Sequence, residues 1–209
     1  HMKRYMQASA QIYGTLLNYI SPEDIHVYSI DEYFIDITPY TNLYKKTPRQ
    51  LAQLLLDAVL DATHIYATVG IGTNLFLAKI ALDILAKHAP DFIGYLDENL
   101  FKEQIWHHQP ITDIWQIGSG IANRLRKFGA FDLHGITQVP EHKLYKEFGV
   151  NAELLIDHAW GRESCTIADI HAYRPSKHSL SQSQILLRNY TADEARLPMR
   201  EMVESLVLE

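Results

Sequence analysis

Apolar side chains recur every three or four residues at the start of the chain. Met6, Ala10, Tyr13, Leu17 and Ile20 form one stripe, which predicts a helix over roughly residues 3–20, ended by Ser21-Pro22. The period then changes. His26–Ile30 and Tyr33–Thr38 are rich in aromatic and β-branched residues and predict two strands. Asp31 and Glu32 fall between them, at the tip of a tight hairpin. Neighbouring side chains on a regular strand point to opposite faces, so only a turn lets these two converge. Buried without partners, each ionised group would cost several kcal/mol. The chain must therefore expose them, pair them or bind a metal with them.

Thr47-Pro48-Arg49-Gln50 predicts a helix start, with Thr47 as cap, Pro48 in the first turn and Gln50 completing a capping box. That helix is expected to run to about Thr63 with Leu51, Leu54, Leu55, Ala58 and Val59 inward. Ile65–Ile71 predicts another strand. Gly72-Thr73-Asn74 turns it into a helix with Phe76, Leu77, Ile80, Ile84 and Leu85 inward, and Ile93–Leu96 predicts a short further strand. The alternation describes an α/β or α+β layer to about residue 105. After Trp106 the segments become short and helical, punctuated by glycines at 118, 120, 129, 135, 149 and 161. A boundary is expected there, followed by a small all-helical domain over 107–171 and a linker over 172–179. The tail reads as a strand over Ser181–Leu187 and a helix from about Ala192.

Composition narrows the picture without deciding it. With 209 residues, 47% hydrophobic and 21% charged, the chain has the balance of a soluble globular protein. No apolar run approaches the roughly 20 residues that span a bilayer, and no membrane partner is expected. His1-Met2 reads as a remnant of tag cleavage and is set aside. The single cysteine, Cys165, excludes an internal disulfide and fits a cytoplasmic location. A net charge of −6 argues against a generally basic nucleic-acid binder. Phosphates held by metal ions and backbone N–H groups instead of basic side chains would soften that objection.

Three segments carry candidate chemistry. The first is Tyr28-Ser29-Ile30-Asp31-Glu32, continued by Tyr33-Phe34-Ile35-Asp36; Asp36 is expected to face a backbone or cationic partner rather than a metal. The second runs from Val69-Gly70-Ile71-Gly72-Thr73-Asn74 through Ala78-Lys79 to Ala86-Lys87. It lacks the G-K-[ST] ending of a phosphate-binding loop. On spacing alone, Lys79 and Lys87 read as a solvated helix face. The third is Ile117-Gly118-Ser119-Gly120-Ile121, followed by Arg124, Arg126 and Lys127. Apolar-Gly-x-Gly-apolar between short helices describes a helix-hairpin-helix, or equally an ordinary helix connection that needs glycine in its turn. The adjacent His107-His108 has no acid or cysteine at ligand spacing along the chain, and a metal site is not expected there.

In this order the segments resemble the Y-family (translesion) DNA polymerases, with closest likeness to the bacterial UmuC/DinB-type branch and its UV-damage-repair proteins. The first matches that family's S-I-D-E-a-f-l-D signature. The second matches V-G-I-s-x-N-k-x-l-A-K-x-A-s-d-x-x-K, with Leu75 where lysine is common. The third matches the W-G-I-G run of the thumb, with Gln116 in place of the first glycine. The resemblance implies a partial palm over 3–106, a helix-hairpin-helix thumb over 107–171 and the start of a little finger over 180–209. It implies that Asp31 and Glu32 are catalytic and bind Mg2+, and that Lys87 reaches the triphosphate. Lys79 would lie nearer the palm surface, and Ile117, Gly118, Ser119, Gly120, Ile121 and Arg124 would contact DNA. Implied partners are primer-template DNA and a deoxynucleoside triphosphate, with a sliding clamp allowed for the longer parent.

The family's N-terminal strand, with its further metal-binding aspartate and aromatic steric gate, has no counterpart before Asp31. The fingers motif and most of the little finger are likewise unmatched. The chain is accordingly expected to be a catalytically incomplete fragment, with an exposed palm edge that favours dimerisation. The alternative is a non-catalytic DNA-binding or scaffold protein that uses the helix-hairpin-helix.

Overall fold

In the computed structural model, which describes residues 2–176 and 179–208, helix α1 spans Met2–Leu16. It ends earlier than the apolar stripe predicts. A turn then carries Ile20 into the core at 1% exposed, while Met6 and Leu17 remain on the surface. Strands β1 (Ile25–Val27) and β2 (Tyr33–Ile35) form the expected antiparallel hairpin, in the register Ile25↔Ile35 and Val27↔Tyr33. Both are shorter than predicted. The second gives way to helix α2 (Thr38–Tyr44), because Asp36 accepts a hydrogen bond from the Thr38 N–H at 2.9 Å and Pro39 suits a first helical turn. Asp36 thus takes a backbone partner, as expected. Buried Tyr40 fastens α2, donating to Asp24 at 2.7 Å and accepting from the Ser21 N–H at 2.7 Å.

Helix α3 (Pro48–Thr63) begins with the predicted capping box, Thr47 and Gln50 each bonding the other's backbone N–H. Its buried Leu51, Leu55 and Val59 pack with Leu16, Ile20, Ile25 and Tyr40. Ala52, on its flank, packs instead on Ile71 and Ile93 of a second, parallel pair of strands, β3 (Val69–Gly72) and β4 (Ile93–Leu96). Among the described residues the strands therefore make two separate two-stranded sheets. Helix α4 (Leu75–Ile80) is capped by Asn74, which accepts from the Leu77 N–H at 2.8 Å and donates to the Gly161 carbonyl at 2.9 Å. The backbone of α4 and its continuation lies directly on Gly70, Gly72 and Gly94. That contact is why this segment needs glycine although it holds no phosphate loop.

The main core starts under α4 with Phe76, Leu77 and Ile80 and continues through Leu96 and Phe101 into the helices that follow. These are α5 (Glu98–Gln104), α6 (Ser119–Arg126), α7 (Leu133–Thr137), α8 (Glu141–Phe148) and α9 (Asn151–Ala159), with α10 (Ile167–Ala172) last. Each fully buried Leu, Ile or Phe contributes about 1.5–3 kcal/mol. This shared core therefore welds the α4–β4 layer to the helical part.

The chain divides into two compact units at Ala172/Tyr173. In the second unit, helix α11 (Ala192–Leu208) is capped by Thr191 and Glu194, which bond each other's backbone N–H. The strand expected over Ser181–Leu187 does not form. Among the described residues it has no neighbouring strand to complete a ladder, and Ile185 and Leu187 are 96% and 100% exposed.

Candidate metal and nucleic-acid site

The hairpin tip is closed by its own backbone. The Tyr28 and Ser29 N–H groups both donate to the Glu32 carbonyl, at 3.0 and 3.1 Å. Asp31 stays exposed and accepts from the Ser29 hydroxyl at 2.8 Å. Glu32 turns to a different partner: its Oε1 accepts from Lys79 Nζ at 2.7 Å. Lys79 also meets Asp83 at 3.0 Å, and Asp83 meets Lys87 at 3.1 Å. The result is an alternating chain of charges, Glu32–Lys79–Asp83–Lys87, running from the hairpin tip along the helix that starts at α4.

Lys79 is not part of a solvated face. Its residue is 7% exposed, whereas the Lys87 side chain is 53% exposed. Burial pulls the Lys79 pKa down, but hydrogen bonds to Glu32 and Asp83, with their charges, outweigh it and the net shift is upward. The stability so gained is complete at neutral pH. It is lost only as pH rises past the ordinary lysine value of about 10.4 and through the raised folded value. Replacing Lys79 with Met keeps the apolar stem but strips Glu32 of its cation. The expected loss is roughly 2–3 kcal/mol in urea unfolding at pH 7; a loss under about 0.5 kcal/mol would mean the pair is dispensable.

Between Lys79 and Lys87 the helix changes its hydrogen-bond pattern. Ala81–Leu85 is a π turn in which the Ala86 N–H donates to the Ala81 carbonyl. The family pattern spaces its two lysines seven apart, and here they are eight apart (79 to 87). A π turn absorbs one additional residue, and Lys87 still reaches Asp83.

An aromatic column, invisible in the spacing, joins the hairpin to the helical part. Tyr28 and Phe34 both pack on Trp115, at 5.9 and 6.0 Å between ring centroids. The Trp115 Nε1–H donates to the Tyr28 hydroxyl at 3.0 Å. Trp115 then stacks with His158 at 6.1 Å, and His158 with Phe76 at 4.0 Å. His158 is 3% exposed and its Nε2 lies 3.0 Å from Glu163. Burial lowers its pKa against the pull of Glu163, which favours the neutral ring in the stack.

The predicted hairpin of the third segment is present in shortened form. A single 3-10 turn at Ile111–Asp113 precedes it and α6 follows, with buried Ile117 before Gly118 at the N-cap. Ile121 is half-buried, while Gly118, Ser119 and Gly120 are exposed. A Cβ at Gly118 or Gly120 would meet nothing within 4 Å, so internal packing does not demand glycine there. With no side chain at the cap, the first-turn amides of α6 are left open to an external acceptor. Arg124 is engaged within the protein, donating to the Glu147 carbonyl at 3.1 Å and lying 4.3 Å over the Phe148 ring. Gln116 holds φ at +68°, the left-handed conformation that glycine adopts freely. Gln116→Gly is accordingly expected to raise stability by roughly 0.5–1 kcal/mol in chemical unfolding. A destabilised variant would overturn this account of the turn.

The structure gives His107 and His108 acidic partners that ligand spacing along the chain does not indicate. The acid that meets His107 comes from far along the chain: His107 Nδ1 is 3.0 Å from Asp132, 25 residues away. His134 joins them, whereas His108 pairs separately with Asp113 at 2.9 Å.

Comparisons with known proteins show what the chain is similar to. Residues 1–83 match the model of the impB/mucB/samB family. The chain is 28% identical to the putative UV-damage repair protein UvrX of Bacillus subtilis (strain 168), over 98% of this chain and 48% of that protein. It is 30% identical to the DNA repair protein homolog YobH of the same organism, over 76% of this chain and 69% of that protein. A solved insertion ternary complex of Dbh DNA polymerase superposes with a TM-score of 0.65 at 28% identity, covering 78% of this chain and 46% of that one. The chain spans about half the length of the first curated relatives it matches over nearly its whole extent, 48% and 49%. The chain belongs to the impB/mucB/samB family, the Y-family whose signature is carried on its β1–β2 hairpin.

Proposed function

We propose that a protein carrying this chain is a translesion DNA polymerase, in which Asp31 and Glu32 hold Mg2+ at the hairpin tip. The observation that carries the reading is the exposed Asp31 beside a Glu32 whose orientation is set by buried Lys79. Carboxylate oxygens suit a hard cation such as Mg2+. Asp31 and Glu32 would supply two of the carboxylate ligands of such a site, Asp31 from its place beside Ser29 and Glu32 from its place beside Lys79. When bound, the ions stabilise charge on the attacking and leaving oxygens of the transfer. The protein's own contribution is positional: Lys79 fixes Glu32, and the exposed Lys87 presents an ammonium suited to a nucleotide's triphosphate. The open amides of Gly118, Ser119, Gly120 and Ile121 suit backbone phosphates of primer-template DNA, without reading sequence. Arg124 would steady this turn from behind, and a sliding clamp would bind outside these residues.

A non-catalytic DNA-binding role is the second reading, favoured by the neutralisation of Glu32 by Lys79. Primer extension and primer-template binding, measured side by side on the longer protein and its Asp31→Ala variant, separate the two. Extension that disappears while binding persists sustains the polymerase; a protein that binds but never extends is the scaffold. The exposed free Cys165 fits a reducing, cytoplasmic setting, and no described helix is long and apolar enough to cross a membrane.

Dimerisation through the hairpin face is part of the same proposal. An apolar groove of about 280 Å³ lies between α1 and the hairpin, lined by Met6, Ala10, Tyr13, Val27, Ile30 and Tyr33. A second copy would cover Met6 and Val27, which are 60% and 48% exposed. Light scattering at high protein concentration should report a dimer; a clean monomer would remove this part of the reading.

A further inference from the structure

We propose that His107, Asp132 and His134 form a binding site for a borderline transition-metal cation, with Zn2+ as the representative, independent of the Asp31–Glu32 site. The ligand atoms of these three residues all lie within 4.8 Å of one another. A tetrahedral Zn2+ with ligands at about 2.0–2.2 Å needs donor separations of roughly 3.3 Å. The His107 Nδ1 to Asp132 Oδ2 distance, 3.0 Å, is already close to that value. The remaining separations, at most 4.8 Å, need to close by no more than about 1.5 Å, and His107, whose side chain is 67% exposed, has the room to move.

The backbone holds the two halves of the cluster in place. The His134 N–H donates to the Trp106 carbonyl at 3.0 Å, which locks the segment carrying His107 against the start of α7. The rings of His107 and His134 lie 4.8 Å apart, and His134 rests edge-on against Trp106 at 5.0 Å. Asp132 divides its oxygens: Oδ1 accepts from the Gly135 N–H at 2.6 Å as the cap of α7, which leaves Oδ2 for a ligand. A carboxylate anchored through one oxygen and offering the other is the support that metal sites use around their first ligands. Two imidazoles and one carboxylate select Zn2+, Co2+, Ni2+ or Cu2+ over Mg2+, which prefers an all-oxygen shell. Three protein ligands leave a fourth position open to water. Bound metal would clip the segment after α5 to the start of α7.

The test is calorimetric titration of the chain with Zn2+, paired with the visible spectrum of Co2+. His107→Gln and His134→Gln are compared, and Asp132→Asn is included because it keeps the α7 cap. One saturable Zn2+ per chain, weakened about tenfold or more in both histidine variants, with tetrahedral Co2+ bands lost in parallel, supports the site. Zn2+ binding that is absent, or undiminished in His107→Gln, overturns it and leaves a histidine–aspartate hydrogen bond. His107 is exposed, so its variant tests the site without threatening the fold.

Discussion

Gly70→Ala is expected to destabilise the chain by about 3 kcal/mol or more, a large part of the 5–15 kcal/mol available to an ordinary domain. A Cβ at this position would sit 2.1 Å from the Ala78 carbonyl oxygen and 2.2 Å from the Leu82 nitrogen. Both are backbone atoms of the helix lying on β3, so no side-chain rotation relieves the clash. The helix would have to lift away from the strand, and Phe76, Leu77 and Ile80, each 0% exposed, would lift with it. Gly120→Ala is the matched control. Its Cβ enters open space at the start of α6, and alanine is the better helix former there. Urea unfolding should therefore show a large loss for the first and none for the second. A Gly70→Ala chain within about 1 kcal/mol of the unsubstituted one would show that helix and strand are not in contact.

The second large effect is on chemistry rather than stability. Asp31→Ala should leave unfolding within roughly 0.5 kcal/mol, since the side chain is exposed and accepts only from Ser29 across the turn. On the proposed polymerase reading, it should nevertheless reduce primer extension by a protein carrying this chain roughly a thousandfold, the rate equivalent of losing several kcal/mol of metal-assisted charge stabilisation. Glu32→Ala should differ in kind. It removes the same class of ligand but also releases buried Lys79, so both activity and stability fall. If the two variants behave alike in unfolding, the Glu32–Lys79 pair does not carry the load assigned to it here.

What the sequence made legible was local. The Thr47–Gln50 capping box, the hairpin bearing Asp31 and Glu32, the helix after Asn74 and the Gly118–Gly120 turn each depend on neighbours a few residues away. What it hid was contact between distant positions. Lys79 reads as surface on helical spacing alone because its partner Glu32 is 47 residues away. Trp115 and Tyr28 are 87 residues apart, so the aromatic column that unites hairpin and helices leaves no periodic trace. The acid that meets His107 comes from the cap of α7, 25 residues away. The π turn at Ala81–Leu85 is a partial exception: the extra residue between Lys79 and Lys87 was a visible signal. The tail differs for the opposite reason, since Ser181–Leu187 has a strand's pattern but, among the described residues, no strand beside it to pair with.

The most direct test of the central claim is calorimetric binding of Mn2+, a readily detected stand-in for Mg2+, with and without a deoxynucleoside triphosphate, on this chain and its Asp31→Ala variant. The variant leaves the His107–Asp132–His134 cluster intact, so only the difference between the two proteins reports on the hairpin tip. Nucleotide-dependent binding that disappears in Asp31→Ala is the result predicted for a metal site at the hairpin tip. Binding identical in both proteins, or dependent on nucleotide in neither, would contradict it.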